Sequence, residues 1–297
     1  MRKVLVTGAF GFLGEYLIKY LNNQFKISTL DNKDRATIIS DITKPIPFLV
    51  DKFDLVIHVA GKAHSIPKTE GEKKSFYNVN LQGTINLCKA LDNNLPDTFV
   101  FISTIAVYGR DEGEKIMESD PLKGNTPYAK SKVMAEEYLQ EWGKEKDVNL
   151  VILRLPLVAG RNPKGNLGSM LNGIKKGYYF NISGSNAKKS VVLADDIARL
   201  IPNLIGKRGI YNLAGDKDYT FEEISKIIAN QSGNQKVNSL PYVFVSILAK
   251  IGDVIPKFPI DSLKLKKIMF NLTVSSEKAI NELNWMPKSL NDNFKIE

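Results

Sequence analysis

Uninterrupted apolar runs recur along the first half of the chain: Val4-Leu5-Val6, Leu55-Val56-Ile57, Phe99-Val100-Phe101-Ile102 and Val151-Ile152-Leu153. A run without polar alternation predicts a strand covered by helices on both faces. Strands at 3–7, 25–30, 55–59, 98–103 and 150–155 alternate with amphipathic helices at 14–22, 75–91 and 128–142, which is the rhythm of a doubly wound parallel sheet. Past Pro156 that rhythm loosens. The segment 160–189 is rich in Gly, Asn and Lys around a helical patch at 167–176, and 221–297 reads as mostly helical, with turns at Gly233, Pro241 and 256–259. Between them a strand at 190–193, a helix at 195–204 and a strand at 210–213 return to the first unit. The expected architecture is α/β: a parallel-sheet domain of 1–160 and 190–215, and a smaller, mostly helical domain of 161–189 and 216–297.

Composition narrows the classes. With 43% hydrophobic and 25% charged residues over 297 positions, the chain has the make-up of an ordinary globular protein, neither disordered nor fibrous. The one cysteine, Cys88, cannot close an intramolecular disulfide, and it falls in the apolar register of its helix with Leu81, Ile85 and Leu91, so a core position is expected. Two histidines, His58 and His64, without a carboxylate cluster make no metal site. A net charge of +9 suits phosphate-bearing small ligands, and we read the surface as solvated, without nucleic acid as a partner. Gly8, Gly11 and Gly14 interrupt any secretory core near the start, so a cytoplasmic protein is expected. No stretch reaches the ~20 apolar residues of a spanning helix; even 240–255 contains Pro241, Lys250 and Asp253.

Candidate chemistry gathers at strand ends. Thr7-Gly8-Ala9-Phe10-Gly11-Phe12-Leu13-Gly14 lies between the first strand and the first helix, where backbone N–H groups and a helix N-terminus meet a dinucleotide pyrophosphate. Asp31 ends the second strand. There an acid accepts hydrogen bonds from an adenosine ribose and repels a ribose phosphate, favouring NAD, while Lys33 and Arg35 keep NADP open. Asp41-Ile42 is either an adenine contact or an exposed loop. Tyr128 and Lys132, four apart, share a helix face, so the ammonium is expected to lower the phenol's pKa and tune it for proton transfer. Ser103-Thr104, at the end of the strand at 98–103, offers a hydroxyl to the same reacting oxygen.

These pieces resemble the extended short-chain dehydrogenase/reductase family, and within it the nucleotide-sugar epimerases and ketoreductases. TGAFGFLG at Thr7, LDN at Leu30, DLVIHVAG at Asp54, YNVNLQGT at Tyr77, FISTIAVYG at Phe101, YAKSK at Tyr128, LRLP at Leu153, VVLADDIA at Val191, YNLAG at Tyr211 and LNW at Leu283 follow the family order. The resemblance implies a Rossmann fold binding NAD at Gly8, Phe10, Gly11, Phe12, Leu13, Gly14, Asp31, Asn32, Asp41, Ile42, Ala60, Gly61, Ser103 and Pro156. It also implies Tyr128 as acid/base, Lys132 holding tyrosine and nicotinamide ribose, Thr104 as hydroxyl partner, and Asn80 bracing the helix near the lysine. Members that eliminate water or carbon dioxide carry acids just after the catalytic Ser or Thr; Ile105 and Ala106 stand there, so epimerase or reductase chemistry is expected. On the substrate side the resemblance implies His64, Thr104, Asn166 and Lys189, the last at a position where an arginine often binds the diphosphate, while Leu157 replaces an epimerase asparagine.

The function expected is NAD-dependent epimerisation of a nucleotide sugar, UDP-linked, at carbon 4. A 4-ketoreductase of a nucleotide-linked deoxysugar, an epimerase of a lipid-diphosphate-linked sugar and a non-enzymatic redox sensor are the competing readings, and a homodimer is left open. The run at 240–255, flanked by Lys236, Lys250, Lys257 and the lysines of 264–267, reads first as a helix packed on the substrate domain and second as a segment for peripheral membrane contact.

Overall fold

The structure, a computed structural model, describes residues 1–47, 49–233, 236–255, 258 and 260–296. Seven strands, β1 (Lys3–Thr7), β2 (Lys26–Asp31), β3 (Ile38–Ile39), β4 (Leu55–His58), β5 (Thr98–Thr104), β6 (Asn149–Leu155) and β7 (Gly209–Asn212), pair in parallel in the order β7-β6-β5-β4-β1-β2-β3. The strand order reverses between β1 and β4, and the crevice beyond that point is where such sheets bind ligands. The apolar runs divide by period two into two cores. Val4, Val6, Leu55, Ile57 and Val100 face one layer, while Leu5, Val56, Phe99, Phe101 and Ile152 face the other.

Helices α1 (Phe12–Leu21), α2 (Glu70–Tyr77), α3 (Gly83–Leu91), α4 (Pro127–Glu145), α5 (Gly165–Lys175) and α6 (Ala194–Leu200) accompany the strands. In α1, Leu13, Leu17 and Leu21 recur every fourth residue and are buried, which fixes the face it lays on the sheet. The single helix expected over 75–91 is instead α2, a π-helical turn at Asn78–Gln82, and α3. The turn brings the buried Asn80 into the site described below. Cys88 is fully buried.

Beyond β6 come α7 (Phe221–Gln231), α8 (Tyr242–Val254), α9 (Ser262–Met269) and α10 (Glu277–Leu283). They are joined by a five-stranded sheet built from Gly113–Ile116, Leu157–Ala159, Lys188–Leu193, Asp218–Thr220 and Leu272–Val274. Several of these strands are three residues long, too short to leave a periodic signature in a region that reads as helical. Ala279, Leu283 and Trp285 pack into the first core beside α1 and α6. The turn expected at Pro256, Lys257 and Pro259 lies outside the described residues. Among the described residues no helix is long and apolar enough to cross a membrane.

Candidate active site

The turn from β1 into α1 forms a cradle. Gly8 has φ +63°, and a Cβ there would lie 2.6 Å from the Ala60 backbone; a Cβ on Gly14 would lie 2.3 Å from the Gly8 carbonyl oxygen. Gly11 caps α1 with no side chain bonded to the helix end, which leaves the first-turn N–H groups for an anion. Phe10 and Phe12 are partly buried and Leu13 is buried on the core side. Asp31 ends β2 with Asn32 exposed beyond it, and Arg35 lies 4.1 Å over the Phe10 ring and 3.5 Å from Glu15. The free N–H groups of the helix end suit a pyrophosphate, and the Asp31 carboxylate suits the hydroxyls of a ribose as their acceptor. Asp41 is exposed and accepts from the Thr43 N–H at 2.9 Å and hydroxyl at 2.8 Å, bonds that lower its carboxyl pKa. Ile42 turns its side chain onto Gly83 of α3.

His58 is buried, and a relay defines its tautomer. The Thr84 hydroxyl donates to the Asn80 carbonyl at 2.7 Å, so it accepts from His58 Nε2 at 2.9 Å. His58 Nδ1 must then accept from the Thr7 hydroxyl at 2.7 Å, and that oxygen accepts from the Ala60 N–H at 3.2 Å. Burial, with Lys132 nearby, pushes the imidazole down to about 3, so it stays neutral and ties the glycine cradle to the turn that carries Asn80.

Helix α4 starts at Thr126, whose side chain accepts from the Ala129 N–H, with Pro127 in its first turn. This start sets Tyr128 and Lys132 at the carboxyl edge of the sheet. Thr104, the last residue of β5, lies beside the Tyr128 hydroxyl, and the Tyr128 ring lies 6.2 Å from that of Phe76. Lys132 does not lower its pKa as the spacing led us to expect: burial pushes the hydroxyl up, and only the neighbouring Thr104 hydroxyl opposes this. The buried Lys132 ammonium donates instead to the Ile102 carbonyl at 2.8 Å and lies 4.2 Å over the Phe101 ring. Burial pulls its pKa down to about 8, against the pull of Glu136. Asn80 donates to Ser131 Oγ at 2.9 Å and to the Lys62 carbonyl at 3.1 Å, and accepts from the Lys62 N–H at 2.7 Å. It therefore braces both α4 and the loop holding Gly61, where a Cβ would stand 3.5 Å from Lys132 Nζ.

A buried network went unseen in the sequence. Arg154 on β6 donates to Glu136 Oε2 through Nε at 3.1 Å and NH2 at 2.7 Å, while the Ser103 hydroxyl donates to the same carboxylate. Arg154 NH1 reaches the Tyr108 hydroxyl at 3.0 Å and the Glu118 carbonyl at 3.1 Å, and Tyr108 donates to Asn212 at 2.8 Å. Two signals point to it: an arginine inside the apolar run LVILRL needs a buried partner, and Glu136 stands one helical turn beyond Lys132 on the same face.

The substrate-side residues divide. His64, at φ +58°, lays its ring against Gly165, where a Cβ would be 2.5 Å from Nδ1, and ring burial lowers its pKa. Asn166 follows in the first turn of α5, exposed, and Pro156 is partly buried at the end of β6. Lys189 differs from the open point charge expected for a diphosphate. It is buried, and its ammonium donates to the Lys267 carbonyl at 2.7 Å and the Phe270 carbonyl at 2.6 Å, satisfying the C-terminal end of α9.

A glycine cradle at the switch of a parallel sheet, with threonine, tyrosine and lysine at its carboxyl edge, defines an NAD-dependent enzyme of the extended short-chain dehydrogenase/reductase class. Residues 4–214 match the NAD dependent epimerase/dehydratase family, and the chain belongs to it. It is 28% identical to the N-acetyl-alpha-D-glucosaminyl-diphospho-ditrans,octacis-undecaprenol 4-epimerase of Escherichia coli O157:H7, over 89% of this chain and 84% of that protein. It is 31% identical to the UDP-glucose 4-epimerase of Pisum sativum, over 58% of this chain and 57% of that one, a little over half the relative's length. The fold matches the Thermus thermophilus UDP-glucose 4-epimerase complex with NAD at a TM-score of 0.75 and 23% identity, over 99% of this chain and 96% of that chain.

Proposed function

We propose that the protein interconverts a nucleotide sugar, UDP-linked, with its carbon-4 epimer. The observation that carries this reading is Tyr128 beside Thr104 at the end of β5, with Lys132 buried one helical turn on and its ammonium on the Ile102 carbonyl of the same strand. NAD, when bound, supplies an acceptor and donor of hydride. Tyr128 takes the proton of the carbon-4 hydroxyl and returns it, while Thr104 holds that oxygen by a hydrogen bond. Lys132 stands ready to keep the phenolate favourable once charge develops there. Ile105 and Ala106 follow Thr104 and have no ionisable side chain, so no extra acid is available there for elimination. Such a role uses Tyr128, Thr104, Lys132, the cradle and Asp31 as the reacting and cofactor-holding groups, with His64 and Asn166 facing the sugar.

A second reading, a sugar carried on a lipid diphosphate, is supported by the relative of that activity, which aligns over most of both chains. The test is to incubate the purified protein with UDP-sugars and separate the epimers chromatographically. Epimer formation is expected, and Tyr128→Phe should cut turnover by roughly two to four orders of magnitude. Turnover near wild type in that variant would overturn the mechanism; activity confined to a lipid-diphosphate sugar would select the second carrier.

A further inference from the structure

Helix α8 turns its apolar side outward, against the first expectation of a packed helix. Val243, Ile247, Ile251 and Val254 fall on one line along it and are 65%, 52%, 40% and 82% exposed, and Phe244 beside them is 62% exposed. Only Val245 and Ala249 of this helix are buried, in a small cluster with Ile182 and Leu265. Contiguous apolar surface of this kind marks an interaction site. Helix α9 runs beside α8 and leaves a groove of about 260 Å³ lined by Tyr242, Ser246, Lys250, Leu265, Lys266 and Met269.

Charge decides what fits this face. Residues 242–270 carry five lysines against two aspartates, a net +3. Both aspartates are engaged within the hairpin: Asp253 accepts from the Ser262 N–H at 2.9 Å, and Asp261 accepts from the Lys264 N–H at 2.8 Å as the cap of α9. Lys250 and Lys266 are exposed at the rim of the groove. An apolar stripe bordered by ammonium groups complements an anionic lipid surface, whose acyl boundary takes the side chains and whose phosphates take the lysines.

We propose that the α8–α9 hairpin docks the protein on a membrane rich in anionic phospholipid, with Phe244, Ile247 and Ile251 entering the headgroup layer and Lys250 and Lys266 meeting phosphates. The hairpin is tied to the rest of the molecule by the Lys189 ammonium on the Lys267 and Phe270 carbonyls and by a Lys267–Asp111 ion pair at 3.2 Å, so docking orients the whole chain. Binding requires no substrate and is tested apart from the epimerase reading.

The test is flotation of the purified full chain with vesicles of phosphatidylcholine mixed with phosphatidylglycerol, against phosphatidylcholine alone, at low and high salt. Two rim lysines should give roughly 10- to 30-fold tighter binding to the anionic vesicles at low salt. Phe244→Ser with Ile247→Ser should lower binding at least about ten-fold while leaving fold and turnover of soluble substrate intact, since both side chains face outward. Lys250→Glu with Lys266→Glu should erase the preference for anionic lipid. Absence of binding at low salt, or equal binding by the apolar double variant, overturns the proposal. So does a wild-type dimer in solution that the apolar double variant dissociates, which would assign the face to a second copy of the chain.

Discussion

Glu136→Gln is the sharpest test of how this site is held. The Glu136 side chain is fully buried and that of its partner Arg154 is 2% exposed, so no water compensates for a lost charge. The carboxylate takes Arg154 Nε, Arg154 NH2 and the Ser103 hydroxyl; glutamine offers one oxygen to those donors and turns its own NH2 on one of them. Breaking a buried pair from one side costs about 3–5 kcal/mol, which for a chain of this size lowers Tm by roughly 5–8 °C. Urea and thermal unfolding followed by circular dichroism read this directly. The companion is Glu136→Leu with Arg154→Met, which removes both charges and should be less destabilised than the two single changes combined. Because Glu136 also holds the Lys132 pKa up, the Gln variant should shift Lys132 below about 8 and move the basic limb of the rate profile to lower pH. Stability within about 1 kcal/mol of wild type, or strictly additive energies in the cycle, would refute the claim that this pair is coupled.

Thr104→Ala should lower turnover about 10- to 100-fold, the worth of one hydrogen bond to a charged oxygen, and less than Tyr128→Phe; an unchanged rate would remove Thr104 from the mechanism. Asp31 at the end of β2 should make isothermal titration show NAD and NADH binding more tightly than their phosphorylated forms, with Asp31→Ala narrowing the gap; tighter NADPH binding by wild type would contradict this. His58 is held near 3 when folded against 6.5 in its ordinary state, so below pH 6.5 the unfolded chain binds the extra proton and stability falls with pH. Between pH 7 and 5 this group should cost about 2 kcal/mol in urea titrations, a slope that His58→Gln removes and that an unchanged slope in the variant would disprove.

The parallel-sheet half and its chemistry were legible because they rest on local rules. Apolar runs announce covered strands, a glycine turn at a strand–helix junction announces a cradle, and residues four apart share a helix face. The chain order of those pieces was enough to read the class of enzyme. Tertiary structure alone decided which charges are free and which are engaged. Lys189 reads as a ligand for phosphate, yet it closes the end of a helix 78 residues away in sequence. Lys132 reads as the tuner of Tyr128, yet its ammonium rests on a β5 carbonyl while burial dominates the tyrosine. Arg154 and Glu136 find each other only when β6 and α4 pack. The apolar run of α8 looks like core in one dimension and lies on the surface in three. Hydrophobicity and spacing are carried by the residues themselves, whereas desolvation and partner choice depend on what the rest of the chain places around each group, and no local pattern records that.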